Sequence, residues 1–189
     1  MEEQPESGSP WKIVRSDVVI ETPHIRLRRD QIELPDGSRV ADYYVRESRG
    51  FTIVFALTPD ERVVLVRQYK HGIGTTLLEL PAGAIDPGED PAACARRELA
   101  EETGYVTDPP DFEHAGSFVY DPTSSTTRYQ VFVGRNARKL VATSFDQTED
   151  ITVELATLAD VRRFVRDGTI VVGAHVASVY YVLDWLGRL

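Results

Sequence analysis

The stretch Gly83–Tyr105, "GAIDPGEDPAACARRELAEETGY", crowds three glutamates, Glu98, Glu101 and Glu102, into the end of what reads as one helix. Its punctuation is local and strong. Pro87-Gly88 suits the centre of a type II turn, whose second central residue needs a positive φ. Asp90 is a natural N-cap, Pro91 suits a first helical position that needs no N–H, and Gly104 suits the left-handed position after the last turn. The spacing predicts a helix over Pro91–Thr103, with Ala92, Ala95 and Leu99 on the arc that faces a core.

The charge at its end is unfavourable. The C-terminal end is the negative pole of the helix dipole. Glu98 and Glu102 share a face four residues apart, a like-charge spacing that costs about 0.2–0.5 kcal/mol. Arg97 reaches Glu101 at i,i+4 in the poorer orientation and is not expected to neutralise Glu98 and Glu102 as well. A solvated acidic stripe is one explanation. A hard-cation site is the other, since Mg²⁺ takes one or two carboxylates and leaves its other positions to water and phosphate. Helix physics alone leaves both open.

Working outward, the chain reads as many strands with few helices. "WKIVRSDVVI" (11–20), "HIRLRRDQIEL" (24–34) and "RVADYYVRE" (39–47) are strands, the last two joined by the turn "PDGS". "FTIVFAL" and "RVVLVRQY" around "TPDE" read as a second hairpin, and "LLEL" as a short strand running into Pro81. "FEHAGSFVY", "RYQVFVG" and "ITVEL" follow. Two helices close the chain: one from the N-cap Thr157 to the stop at Gly168, with Val161, Phe164 and Val165 on its apolar face, and one over about Ala174–Gly187. Strands with helices between and after them argue for an α+β fold, a mixed sheet sandwiched by helices. We expect a disordered tail over 1–10, a small antiparallel β module over 11–47 and a main domain over 48–189.

The 189 residues are enough for a substantial core, and the net charge is −9. That balance disfavours nucleic-acid backbones and anionic membranes as partners, though a bound cation lets an acidic protein take a small anionic ligand. The single cysteine, Cys94, forms no internal disulfide, which fits a cytoplasmic location. The acidic start, "MEEQPESGSP", has no apolar segment of a secretory signal, and the apolar C-terminal run is interrupted by His175 and Asp184 and is short for a bilayer span.

The spacing from Gly83 to Tyr105 then decides between the two readings of the acidic helix. Gly83, five residues, Glu89, seven residues, Arg97-Glu98-Leu99, Ala100, Glu101-Glu102, Thr103 and Gly104 resemble the signature box of the Nudix hydrolases. Tyr105 is the departure, standing where an aliphatic residue is usual. The resemblance implies a loop–helix–loop beside a mixed sheet in an αβα sandwich. It implies Mg²⁺, with Mn²⁺ as a substitute, held by Glu98 and Glu102, by Glu101 directly or through water, and by the backbone carbonyl of Ala82. Arg97 and Glu89 are expected to brace the loop on the helix, and Gly83 and Gly104 to serve at a tight turn and a helix stop.

Further resemblance, in "VRQYKHGIGTTLLELPAGAIDPGEDP", is to the ADP-ribose pyrophosphatase branch. It implies hydrolysis of a nucleoside diphosphate sugar, most simply ADP-ribose to AMP and ribose 5-phosphate. It also implies a homodimer in which residues 11–47 are exchanged between protomers and help to build the nucleoside pocket. Trp11 then stacks on the base or anchors the dimer, and Lys70 contacts phosphate or is simply solvated. In this branch a glutamate of a later loop acts as general base, and Glu149 in "DQTEDITVEL" holds a matching place, with Asp150 and Glu101 as rivals. The loop "YDPTSSTTRY" departs from its counterparts, having Pro122 but no glycine or glutamate, which opens the substrate to GDP-mannose or another nucleotide sugar or dinucleotide. A nucleotide-sugar sensor that binds without hydrolysis is the rival from another class, disfavoured by three intact box glutamates. Cys94 reads as a small filler, and His24, His71, His114 and His175 as structural or surface residues.

Overall fold

The computed structural model describes residues 10–145 and 150–189. The expected tail, apart from Pro10, lies outside them, as does Glu149. The described chain divides into two units. One comprises the residues up to Arg49 together with Val119–Thr127, and the other comprises Gly50–Phe118 and Arg128–Leu189.

The first unit is an antiparallel sheet of β1 (Lys12–Glu21), β2 (Arg26–Glu33) and β3 (Arg39–Glu47), in that order. Its register is written in charge. Lys12 stands opposite Glu33, Asp17 opposite Arg29, Glu21 and Glu47 opposite Arg26, and Glu33 opposite Arg39. Opposite charges directly across a ladder favour this register over its neighbours. The predicted turn between β2 and β3 is present: Gly37 takes φ +80°, and the Leu34 N–H donates to the Ser38 carbonyl at 2.8 Å. The segment Val119–Thr127 completes the unit beside β3. Arg46 N–H donates to the Ser124 carbonyl at 2.8 Å, and Tyr43 Oη donates to the Thr123 carbonyl at 2.6 Å.

The second unit contains β4 (Phe51–Ala56), β5 (Arg62–Lys70), β6 (Thr75–Glu79), β7 (Ala82–Ala84), α1 (Pro91–Thr103), β8 (Tyr105–Val106), β9 (Phe112–Val119), β10 (Arg128–Gly134), β11 (Arg138–Lys139), β12 (Ile151–Thr157), α2 (Leu158–Arg166) and α3 (Gly173–Trp185). One sheet has the order β7-β4-β10-β9, mixed because β4 runs parallel to β10 and antiparallel to β7. Another has the order β12-β5-β6, all antiparallel, and β8 pairs with β11.

The expected hairpin of β4 and β5 is corrected here. Its turn exists, with Glu61 N–H on the Thr58 carbonyl at 2.9 Å, but the two strands share only the Leu57–Val63 bridge. Each is the inner strand of a different sheet, with both ladder edges already taken.

Alternation along these strands builds two cores. Ile53, Phe55, Val63, Leu65, Val131 and Val133 pack with Val161 of α2 and with Val179, Val182 and Leu183 of α3. Val54, Ala56, Val64 and Phe132 pack with Ala95 and Leu99 of α1. Burial on both faces explains why β4 and β5 are near-continuous apolar runs. The result is the expected α+β fold, with strands layered between α1 and the α2–α3 pair.

Candidate active site

The punctuation of α1 is as its sequence predicts. Gly88 has φ +80° with Glu89 N–H on the Asp86 carbonyl at 3.0 Å, the Asp90 carboxylate accepts from Ala93 N–H at 3.0 Å, and Gly104 is left-handed at φ +74°. Buried Ala95 and Leu99 fix the rotation of the helix about its axis. That rotation carries Glu98 and Glu102 to the border of the buried face and leaves Glu101 nearly half exposed.

Arg97 does more than the sequence reading allowed. Its Nε and Nη2 grip both oxygens of Glu89 at 2.9 and 3.0 Å, while Nη1 donates to Glu98 at 2.7 Å and to Glu101 at 3.0 Å. The expectation that Arg97 cannot serve Glu98 is therefore corrected: adjacent side chains at the edge of the helix converge on one planar donor fork. Glu89 also accepts from the Asp86 N–H at 3.0 Å, so it ties the preceding turn to the helix. The Arg97 hydrogen bonds, aided by that amide, hold its carboxyl down at about 2. The same bonds to Glu89 push the Arg97 guanidinium further above its ordinary value.

The partner of α1 is β7, a strand the sequence reading did not separate from its loop. Its three residues, Ala82, Gly83 and Ala84, pair with Ile53, Thr52 and Phe51. Ala82 N–H donates to Glu102 Oε2 at 3.0 Å, which accounts for a glutamate only 3% exposed. Gly83 is where Glu98 arrives. A Cβ built on Gly83 would lie 1.9 Å from Glu98 Cδ, so only a residue without a side chain lets the carboxylate lie against this backbone. The expected tight turn at Gly83 is thereby corrected to a close approach within a strand.

Cys94 is fully buried, its Sγ 3.4 Å from the Ala84 carbonyl, and burial pushes its thiol up to about 11. It is an unreactive filler at neutral pH. Lys70 is committed to an ion pair, Nζ 2.8 Å from Glu79 Oε2. Trp11, in the first unit, is half exposed and meets Tyr43 edge-on at 5.8 Å. Asp150 is exposed immediately before β12. Two residues with no place in the sequence reading of the site join it from behind: buried Glu79, and His175, whose Nδ1 accepts the Leu80 N–H at 3.1 Å. The available signal was a carboxylate inside the apolar run "LLEL", which needs a partner when buried.

Among the described residues, no group of three or more His, Cys, Asp or Glu side chains converges closely enough to hold a metal ion. The donor chemistry nonetheless fits a hard dication. Glu98 and Glu102 both lie against β7, and both offer oxygen.

Residues 47–170, well over half of the chain, match the NUDIX domain. This chain belongs to the Nudix hydrolase family. Residues 11–45 of this Nudix hydrolase match the nucleoside diphosphate sugar hydrolase N-terminal domain. The hydrolase is 28% identical over 172 residues to the methanol dehydrogenase activator of Bacillus methanolicus, a match covering 90% of this chain and 91% of that protein. It is 32% identical over 158 residues to an ADP-ribose pyrophosphatase of Mycobacterium tuberculosis, covering 82% and 75%. A solved ADP compounds hydrolase superposes with a TM-score of 0.86, covering 97% of this chain and all of that one, at 22% identity, a likeness of fold. No helix among the described residues is long and apolar enough to cross a membrane.

Proposed function

We propose that this Nudix hydrolase cleaves the diphosphate of a nucleoside diphosphate sugar, ADP-ribose first of all, to AMP and ribose 5-phosphate, with Mg²⁺ as the working ion and Mn²⁺ able to replace it. The observation that carries the reading is two carboxylates brought onto one short strand, Glu102 on the Ala82 amide and Glu98 against Gly83. The relative named an ADP-ribose pyrophosphatase supports the substrate.

In this reading Glu98 and Glu102 hold the ion, Glu101 joins them directly or through water, and Ala82 offers its carbonyl. The bound ion supplies neutralisation of the diphosphate charge and activation of a water. Arg97 draws Glu89, Glu98 and Glu101 toward one cation and so offsets the repulsion of Glu98 and Glu101 toward the negative end of α1. Gly83 makes room for Glu98, and Gly104 ends the helix where the carboxylates are needed. Glu149 takes the proton of the attacking water as its oxygen bonds to phosphorus and the bridging P–O bond breaks. Trp11 stacks on the base. Lys70 reaches a phosphate only by releasing Glu79.

The protein acts as a homodimer joined through the β module of residues 11–47, in the cytoplasm, without nucleic-acid or membrane partners. Exposed Ile13, Val14, Val18, Val19 and Ile20, on either side of Arg15-Ser16-Asp17 in β1, support the dimer, because apolar side chains grouped on an edge strand favour a protein neighbour. The net charge of −9 supports the exclusions, and the lone cysteine the compartment.

The test is incubation with Mg²⁺ and ADP-ribose, with AMP as the readout, beside GDP-mannose, UDP-glucose and diadenosine polyphosphates. AMP from ADP-ribose ahead of all others is expected. A different best substrate overturns the ADP-ribose assignment, and binding without turnover on any of them returns the protein to a sensor.

A further inference from the structure

Between the two ladders of the second unit the chain crosses from one sheet to the other. The β5–β6 register ends at Glu79, and the β4–β7 register begins at Ala82. Leu80 and Pro81 fall in the gap, and Leu80 is wholly buried. A buried N–H with no ladder partner must find another acceptor. Leu80 finds it on α3, 95 residues away in sequence, in Nδ1 of His175 at 3.1 Å. Pro81 brings no N–H, and its carbonyl accepts from Val54 N–H of β4 at 2.9 Å. Ala82 N–H then goes to Glu102 of α1 at 3.0 Å. Three successive residues are thus pinned to three different elements.

The imidazole is itself oriented. Because Nδ1 accepts, the ring proton is on Nε2, which faces Glu79 Oε1 at 4.0 Å. Glu79 is held in turn by Lys70 Nζ at 2.8 Å. His175 as a whole is only 6% exposed.

We infer that His175 is a positioning residue for the active site: through the Leu80 amide it sets the crossover that presents Ala82 and Gly83 to Glu102 and Glu98. The inference rests on the roles proposed above for Ala82, Glu98 and Glu102. His175 acts through backbone and is given no contact with substrate.

The test compares two variants in the full-length protein. His175→Asn places an amide oxygen near the position of Nδ1 and keeps an acceptor for Leu80. His175→Leu fills similar space with none. The readouts are Mn²⁺ affinity by electron paramagnetic resonance, hydrogen exchange of the Leu80 amide, and kcat and KM on ADP-ribose. Removal of a supporting hydrogen bond behind metal ligands typically costs about 10–100-fold in affinity or rate. His175→Leu is expected to lose Mn²⁺ affinity and kcat on that scale with KM little changed, and to expose the Leu80 amide to exchange. His175→Asn is expected to recover most of both.

If His175→Leu does not fold, His175→Gln, whose oxygen falls near Nε2 instead, takes its place. Wild-type Mn²⁺ affinity in the acceptor-free variant, or failure of Asn to recover what Leu loses while both melt alike, overturns the inference. A wild-type protein that binds Mn²⁺ but leaves ADP-ribose intact overturns the substrate assignment alone, and Mn²⁺ affinity and Leu80 exchange still decide His175.

Discussion

Gly83 and Glu98 occupy one another's space: a methyl group on residue 83 would sit 1.9 Å from the carboxyl carbon of Glu98. The clash is with the far end of a flexible side chain, and the backbone of Gly83 is not left-handed. Gly83→Ala should therefore leave stability within about 0.5 kcal/mol of wild type and displace the carboxylate instead. A misplacement of about 1 Å at a reacting centre can cost about 10²-fold. A melting curve beside a turnover assay checks this; retained turnover counts against Glu98 as a ligand.

Gly104→Ala should do the reverse. Here φ is +74°, and an added Cβ would lie 2.5 Å from the backbone carbonyl oxygen of Val141, which cannot rotate away. Strain of this kind costs on the order of 1–3 kcal/mol, or about 2–4 °C of Tm per kcal/mol in a chain of this size. Thermal unfolding reads it directly.

Glu98→Gln and Glu102→Gln should each lower turnover by about 10²-fold or more, the scale for losing one stabiliser of transition-state charge, and weaken Mn²⁺ binding as well. The fold should persist, because a glutamine at 102 can still accept from Ala82 N–H and Arg97 retains Glu89 and Glu101. Glu149→Gln should cut turnover by about 10²–10⁴-fold with Mn²⁺ affinity unchanged. Should it cost less than about tenfold, under that range, the base is Asp150 or Glu101.

His175 predicts a pH dependence of stability. Burial holds its folded-state value down at about 4, against 6.5 when free; the Glu79 charge opposes burial and the Lys70 charge adds to it. Above pH 6.5 the ring is neutral folded or unfolded. Between 6.5 and 4 the unfolded chain binds the proton and the folded chain does not, so stability falls as pH falls, by a few kcal/mol in order of magnitude across that window. Glu89, held at about 2, adds a further loss below 4.5. Urea unfolding at stepped pH should show a loss of stability between pH 6.5 and 4.5 in wild type and its absence in His175→Asn.

The full-length protein should migrate as a dimer at micromolar concentration, and loss of residues 1–47 should abolish activity. Light scattering coupled to gel filtration gives the first answer. A fully active monomer refutes the dimer.

What could be read in advance was local. The bounds of α1 follow from Asp90, Pro91 and Gly104, each acting on its own few dihedrals, and the fold class from the order of strands and helices. What escaped was long-range or unpatterned. Three small residues, Ala82-Gly83-Ala84, carry no alternation to mark β7. The turn after β4 is correct, yet the strands on either side belong to different sheets, a choice made by neighbours far away in sequence. Arg97 reaches Glu98 because the helix edge is crowded, which a spacing rule for facing residues does not contain. His175 carries no motif; its meaning lies in a single amide on the far side of the chain.

The joining of Val119–Thr127 to the first unit has a consequence for the order in which the protein is made. A module written at the start of a chain ordinarily folds as soon as it leaves the ribosome. Here the Arg46 amide waits for Ser124, and Tyr43 for Thr123. Everything from β4 to β9 emerges first. At roughly 5–20 residues per second, the charged strands of the first unit stand several seconds without their last partner, and the segment that closes them arrives from the middle of the catalytic domain.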